Sequence, residues 1–261
     1  MDSVNKTLYI PLYGKAFVSR QGILLRDPKA EEIWAVEGFT LKGKAASKWL
    51  AYYMAMRSAV MDRWTAGKMA QDPDAAVLHI GCGLDSRCLR VGTAGQQWYD
   101  IDFPEVIHER GKYYSETESY HMVPADMRSA AWRDSIPAGG TAIVVMEGVS
   151  MYLKPEELSH LLKDLKVHFS QVSVLMDCYS SFAARASRYR NPINQVGVTQ
   201  VYGLDDPKQL AAEAGVCYVK EHDLTPTTLI RQLTAGERII FSNLYAGSIA
   251  RRLYRLYEFN A

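Results

Sequence analysis

Gly81 and Gly83 sit in VLHIGCGLDSR (77–87), directly after an apolar run, and Asp102 follows 21 residues beyond Gly81, in WYDIDFPEV. Glycine has no Cβ, so it permits a sharp turn and lets a ligand approach the backbone itself. An acid about 20 residues past such a turn lies at the end of the next strand, where one carboxylate can accept from two ribose hydroxyls at once. These residue types at this spacing point to capture of a cofactor that carries adenosine. Asp100, two residues earlier, is the other carboxylate eligible by type.

The turn departs from a dinucleotide site in two ways. Ser86 stands where a third glycine would let the helix pack tightly on the strand, and Asp85 opens that helix with a charge that repels phosphate. S-adenosylmethionine (SAM) carries adenosine and a methionine tail but no phosphate, so the turn suits it better. An NAD(P)-dependent oxidoreductase and a non-catalytic SAM-binding protein are the rival readings. Asp126 beside Met127 sets a hydrogen-bond acceptor next to a soft apolar surface, a pairing that fits a purine. Glu147 ends the apolar run TAIVVM, at the strand edge where open α/β sheets bind ligands. His79, just before the glycine turn, reads as a core histidine with its hydrogen bonds satisfied.

A parallel sheet is needed to carry these residues. Short apolar strands near 76–80, 96–102, 120–124, 141–147, 172–178 and 216–221 alternate with helices, which argues for parallel strands joined by right-handed crossovers. Pro104, Pro155 and Pro207 open helices over 104–117, 155–169 and 206–214, the last capped by Asp206. Residues 1–74 instead read as an N-terminal helical cap. Asp27 and Pro28 open one helix through about Val36; a second spans 45–69, where Trp49, Tyr52, Tyr53, Met56, Val60, Met61 and Trp64 recur every three or four residues. The core then occupies 75–261, with 223–250 as a helical insertion of two short helices. The closing RRLYRLYEF fits either an antiparallel strand or more helix.

Composition narrows the partners. With 30 basic against 29 acidic residues, no charge excess argues for nucleic acid. No apolar segment approaches the roughly 20 residues that span a bilayer, and the first residues lack the apolar run of a signal peptide. Cys82, Cys88, Cys178 and Cys217 show neither paired metal-ligand spacing nor a small-domain disulfide pattern. Free thiols, no metal and a cytoplasmic location are therefore expected.

Taken in order, GCGLDSR, YDIDFPEV, ADMR (125–128) and MEGVSMYL (146–153), preceded by TLYIPLYGKA and LLRDPKAEEI, resemble the bacterial branch of the leucine carboxyl methyltransferase family. That family includes protein phosphatase methyltransferases and polyketide O-methyltransferases of the tetracenomycin type. The resemblance covers nearly the whole chain. It implies a class I methyltransferase fold: a Rossmann-like three-layer α/β sandwich around a mostly parallel seven-stranded sheet with a reversed last strand. It also implies SAM as cofactor, S-adenosylhomocysteine as product and O-methylation as the reaction. By the same resemblance Gly81, Cys82 and Gly83 flank the methionine portion, and Asp102 rather than Asp100 takes the ribose hydroxyls. Asp126 and Met127 meet the adenine, and Glu147 lies against the cofactor near its ammonium. Lys15 and Arg57, both in the cap, match the cations that bind the cofactor's carboxylate. Tyr152 faces the reacting centre in a positioning role, or packs beneath it. We read Cys82 as packing and Arg87 as a brace paired with a nearby acid.

A sulfonium methyl is already activated, so alignment supplies most of the catalysis. A carboxylate acceptor is ionised at neutral pH and needs no base, whereas a phenol with a pKa near 10 benefits from one. No histidine falls inside a matched motif, which favours carboxyl over phenol methylation and leaves both open. The expected acceptor is a small molecule, aromatic or carboxylated, held by Tyr179, Arg185 and Arg188, with Tyr189 and Tyr202 as further wall. Methylation of a protein carboxyl terminus is the alternative. A monomer or homodimer is expected.

Overall fold

The computed structural model describes residues 8–37, 41, 43–190 and 200–261. Strands β1 (Ala76–Ile80), β2 (Trp98–Asp102), β3 (Tyr120–Pro124), β4 (Thr141–Met146) and β5 (Gln171–Tyr179) pair in parallel. With β6 (Cys217–His222) and β7 (Tyr254–Asn260) they form one seven-stranded sheet, ordered β3-β2-β1-β4-β5-β7-β6. β7 runs antiparallel to both its neighbours. The chain crosses from the β3 edge back to β4, beside β1, and such a switch point is where open α/β sheets leave a crevice. Ile80 is in register with both Ile101 and Met146, so β1, β2 and β4 end level and the loops after them meet.

Among the described residues three α-helices precede the sheet: α1 (Tyr9–Arg20), α2 (Pro28–Glu37) and α3 (Lys48–Gln71). Asp27 accepts from Ala30 N–H at 2.9 Å to start α2, and Ser47 Oγ accepts from Trp49 N–H at 3.3 Å to start α3. A Cβ on Gly14 would come within 3.3 Å of Ala51 Cα. Glycine there lets α1 lie close on α3, and so sets where the next residue, Lys15, arrives. No helix is expected over α1 from the sequence, because Pro11 obscures it. Pro11 falls in the first turn, where a missing N–H removes no helical hydrogen bond.

Later helices are α4 (Arg87–Val91), α5 (Pro104–Arg110), α6 (Pro155–His168), α7 (Ser181–Arg190) and α8 (Pro207–Ala214). α5 stops seven residues short of the expected end at 117, since the chain turns after Arg110 at Gly111. One sheet face packs on α6 and α8 through Leu158, Leu161, Leu165 and Leu210. The other packs on the first three helices through Leu12, Ile33, Met61 and Trp64. Residues 223–250 hold α9 (Thr227–Ile230), α10 (Ala235–Leu244) and the start of α11 (Ser248–Leu253), three helices rather than two. The closing segment is both things in turn: helix to Leu253, then strand. No helix among the described residues is long and apolar enough to cross a membrane.

Candidate active site

A cavity of about 270 Å³ opens over the carboxyl ends of β1, β2 and β4, close to the lower end of ligand pockets at about 300 Å³. Its floor is the turn after β1. Gly81 takes a φ of +66° and Gly83 of +51°, and a Cβ on Gly81 would lie 2.2 Å from Val149 Cγ2. Only glycine fits both the backbone and the space. Cys82 between them is buried, which pushes its thiol well above the usual range. It packs, and is no nucleophile at neutral pH.

Asp100 and Asp102 point to the same side of β2, being two residues apart, and depth separates them. Asp100 is fully buried; it accepts from Trp98 Nε1 at 2.9 Å and the Tyr120 hydroxyl at 2.8 Å, and it pairs with Arg110. Asp102 lies at the strand end and lines the cavity. Its two oxygens accept from Gly83 N–H and Phe103 N–H, each at 2.8 Å. Burial raises its pKa to about 6, against the pull of those N–H groups. Arg110 also donates to Gly83 O at 2.8 Å and Tyr114 to Leu84 O at 3.0 Å, so the turn is held from behind.

His79 Nε2 receives Arg87 Nη1 at 3.0 Å, which leaves Nδ1 to donate to Asp100 at 3.1 Å. Those partners fix a neutral imidazole, and burial with the nearby Arg87 charge lowers its pKa. This is a satisfied core histidine whose flank reaches the cavity wall.

Asp126 and Met127 line the cavity beside Phe103. Arg128 grips Asp126 through Nε to Oδ1 at 2.9 Å and Nη2 to Oδ2 at 2.6 Å. That hydrogen bonding holds the Asp126 carboxyl below its ordinary pKa.

The cavity also borders a buried charge cluster. Lys15 Nζ lies 2.8 Å from Asp85. Glu147 accepts from Arg57 Nε at 3.1 Å and Nη2 at 2.9 Å, from Ser58 Oγ at 2.7 Å, and from Arg87. Burial opposes its ionisation, but Arg57 and Arg87 outweigh burial and hold the carboxyl well below the usual range. Asp85 is likewise held low against burial by Arg90, Lys15 and Arg87. Arg90 reaches Asp27 and Asp62 at 2.7 Å each and Asp85 at 2.6 Å. Arg87 also meets Asp62 at 2.8 Å, a brace with several acids rather than one.

Tyr152, Tyr179 and Tyr254 wall the remaining side. The Tyr179 and Tyr254 ring centroids lie 4.9 Å apart. Burial pushes the Tyr152 and Tyr254 phenols above their usual pKa, so both stay protonated at neutral pH. Arg185 is exposed on α7 and does not line the cavity, nor does Tyr202. Arg188 and Tyr189 lie in the same helix, with side chains outside the described part. The structure thus brings Lys15, Arg57, Gly81, Cys82, Gly83, Asp102, Asp126, Met127, Glu147, Tyr152 and Tyr179 to one cavity. Asp177, Arg90 and Tyr254 are not among the residues expected from the sequence. Asp177 carried a signal, an acid in the apolar strand QVSVLMDCY, of the same kind that marks Glu147.

Residues 4–166 match the model of the leucine carboxyl methyltransferase family. The tetracenomycin polyketide synthesis O-methyltransferase TcmP of Streptomyces glaucescens is 29% identical over 212 residues, 80% of this chain and 78% of that protein. The SAM-dependent methyltransferase dpfgK of Gibberella zeae is 27% identical over 186 residues, 66% of this chain and 62% of that protein. Among solved structures, a putative methyltransferase from Thermobifida fusca superposes with a TM-score of 0.55 at 15% identity, covering 87% of this chain and 91% of that one. Magnesium protoporphyrin IX methyltransferase from Synechocystis, with S-adenosylhomocysteine bound, gives 0.52 at 12% identity, covering 88% and 92%. The structural likenesses speak for the class I methyltransferase fold, and the sequence matches decide for SAM against a nicotinamide dinucleotide. The chain belongs to the leucine carboxyl methyltransferase family and is a SAM-dependent methyltransferase.

Proposed function

We propose that this methyltransferase esterifies a carboxylate of a small-molecule acceptor. The observation that carries the reading is the state of the cavity's ionisable groups. Among the described residues lining it, Asp85 and Glu147 are held ionised by cations, His79 has both ring nitrogens engaged, and Arg128 grips Asp126. Asp102, raised to about 6, has both oxygens engaged by the Gly83 and Phe103 N–H groups and is assigned to the ribose. None of these groups is poised to take a proton from a phenol, so an acceptor that arrives already ionised suits the site best. Small-molecule chemistry has its support in TcmP, whose name places it in polyketide synthesis.

The donor set fits SAM. Asp102 offers a carboxylate to the ribose hydroxyls, and Asp126 with Met127 and Phe103 offers an acceptor and apolar surface to the adenine. Lys15 and Arg57 suit the methionine carboxylate, and Glu147 suits the ammonium. Gly81, Cys82 and Gly83 allow the chain of the cofactor to lie on the backbone. When bound, SAM supplies a sulfonium-activated methyl group. The protein's part is then to align the acceptor oxygen, exclude water and orient the acceptor with Tyr152 and Tyr179. We also assign residues 1–74 as a cap over the methionine end, a reducing cytoplasmic setting for the free thiols, three of them buried and Cys217 exposed, and a monomer or homodimer as the acting species.

The test is transfer of radiolabelled methyl from SAM to a mixed panel of carboxylic acids and phenols, followed by alkali. A methyl ester releases its label as methanol, which is the expected result. Label that survives alkali would identify an ether and overturn the carboxylate assignment.

A further inference from the structure

We infer that Tyr254 is a positioning residue for the cofactor's methionine carboxylate, acting through Arg57. The inference rests on the SAM reading above and adds a residue that neither the motifs nor the resemblance point to. Arg57 lies between two acids. Its Nε and Nη2 donate to Glu147 Oε1, and its Nη1 donates to Asp177 Oδ2 at 2.8 Å and to the Tyr254 hydroxyl at 2.6 Å. The Tyr254 hydroxyl in turn donates to Asp177 Oδ2, while Asp177 Oδ1 accepts from Gly148 N–H at 2.7 Å. A guanidinium carries five N–H donors in a rigid fork. These contacts use four of them, and the remaining N–H, on Nη2, is the one left for a ligand.

Two carboxylates flank this guanidinium, and a further group can hold its plane and temper their charge. Tyr254 does both. Its hydroxyl holds Nη1 in place, and its proton satisfies part of Asp177, so that acid does not draw Arg57 wholly to itself. The hydroxyl is itself rigidly placed. Tyr254 opens β7 in register with Tyr179, and its ring packs at 4.9 Å from Tyr179 and 6.1 Å from Tyr53. It also lines the cavity beside Arg57 and Glu147. The reversed last strand, far from the cofactor motifs in sequence, thereby orients a cation on the cap.

The test compares two nucleosides on the intact protein. S-adenosylhomocysteine carries the amino-acid tail, and 5′-methylthioadenosine keeps the adenosine and sulfur but lacks that tail. By calorimetry, Tyr254→Phe is expected to bind S-adenosylhomocysteine about tenfold more weakly and 5′-methylthioadenosine as the wild type does. Arg57→Lys should show a similar selective loss, and adding Tyr254→Phe to it should cost little more, the mark of two residues acting as one. Equal weakening of both nucleosides would reduce Tyr254 to a structural role and overturn the inference. So would unchanged S-adenosylhomocysteine binding in Tyr254→Phe, or losses that simply multiply in the double variant. A wild-type protein that binds neither nucleoside would sink the SAM reading along with it.

Discussion

Asp102 is the residue whose chemistry is most open to direct test. Its carboxyl is raised to about 6 by burial, from an ordinary 3.8. In the free protein a raised acid favours folding when protonated, so its contribution to stability is present below about pH 4 and lost as pH rises through 6. Cofactor binding runs the other way, because only the carboxylate accepts from both ribose hydroxyls. S-adenosylhomocysteine should therefore bind about tenfold more weakly at pH 5 than at pH 7, and Asp102→Asn should flatten that profile while weakening binding throughout. A pH profile as steep in the variant as in the wild type would remove Asp102 from the role. The sequence could not choose between Asp102 and Asp100 by period, since both face one side of β2. Strand depth separates them, and that depth became visible only when Arg110, Tyr120 and Trp98 closed around Asp100.

At the scale of elements, Pro-led helices and apolar strands could be read directly, and their failures have local causes. β1 and β3 match the expected 76–80 and 120–124 residue for residue, because each is a short apolar run bounded by polar or turn residues. β7 resisted because it sits between β5 and β6, with Leu256, Tyr257, Glu258 and Phe259 all buried, so no alternation survives to mark it. Of the ties between elements, the brace from Arg87 to a nearby acid was legible and the rest were not. Arg90 on α4 joins Asp27 ahead of α2, Asp62 on α3 and Asp85 in the glycine turn, a convergence set by packing rather than spacing. Replacing it by methionine leaves three acids around an uncharged side chain. Urea unfolding of Arg90→Met should show a loss of about 3–5 kcal/mol. Asp85 is held below 3.8 in the wild type, so its stabilisation is present above that pH and fades below it. Without Arg90 the folded carboxyl moves back toward 3.8, so the fading should be smaller and should be complete at a higher pH. A loss under about 1 kcal/mol would mean that the network is looser than its distances suggest.

For the whole molecule, the question is whether the first 74 residues form a hinged lid or part of the core. Leu12, Ile33, Met61 and Trp64 share one buried cluster with Val77, Trp98, Val145 and Leu256, which ties the cap to β1, β2, β4 and β7. Lys15 with Asp85, Arg57 with Glu147 and Asp27 with Arg90 cross the same boundary, all of them buried. A lid that opened would strip that cluster and strand those charges, a cost far above the small free energies of local loop opening. Cap and core should therefore unfold together. Trp34, Trp49 and Trp64 report on the cap and Trp98 and Trp132 on the sheet, so tryptophan fluorescence and far-ultraviolet circular dichroism both sample each part. Their urea transitions should coincide, and saturation with S-adenosylhomocysteine at about 100 times its Kd should move both together, by about 2.7 kcal/mol. Two separate transitions, only one of them shifted by the ligand, would show an independent cap and a site assembled on binding. Transitions that coincide already without the ligand would show that the cations from the cap and the acids from the sheet are held together before any cofactor arrives.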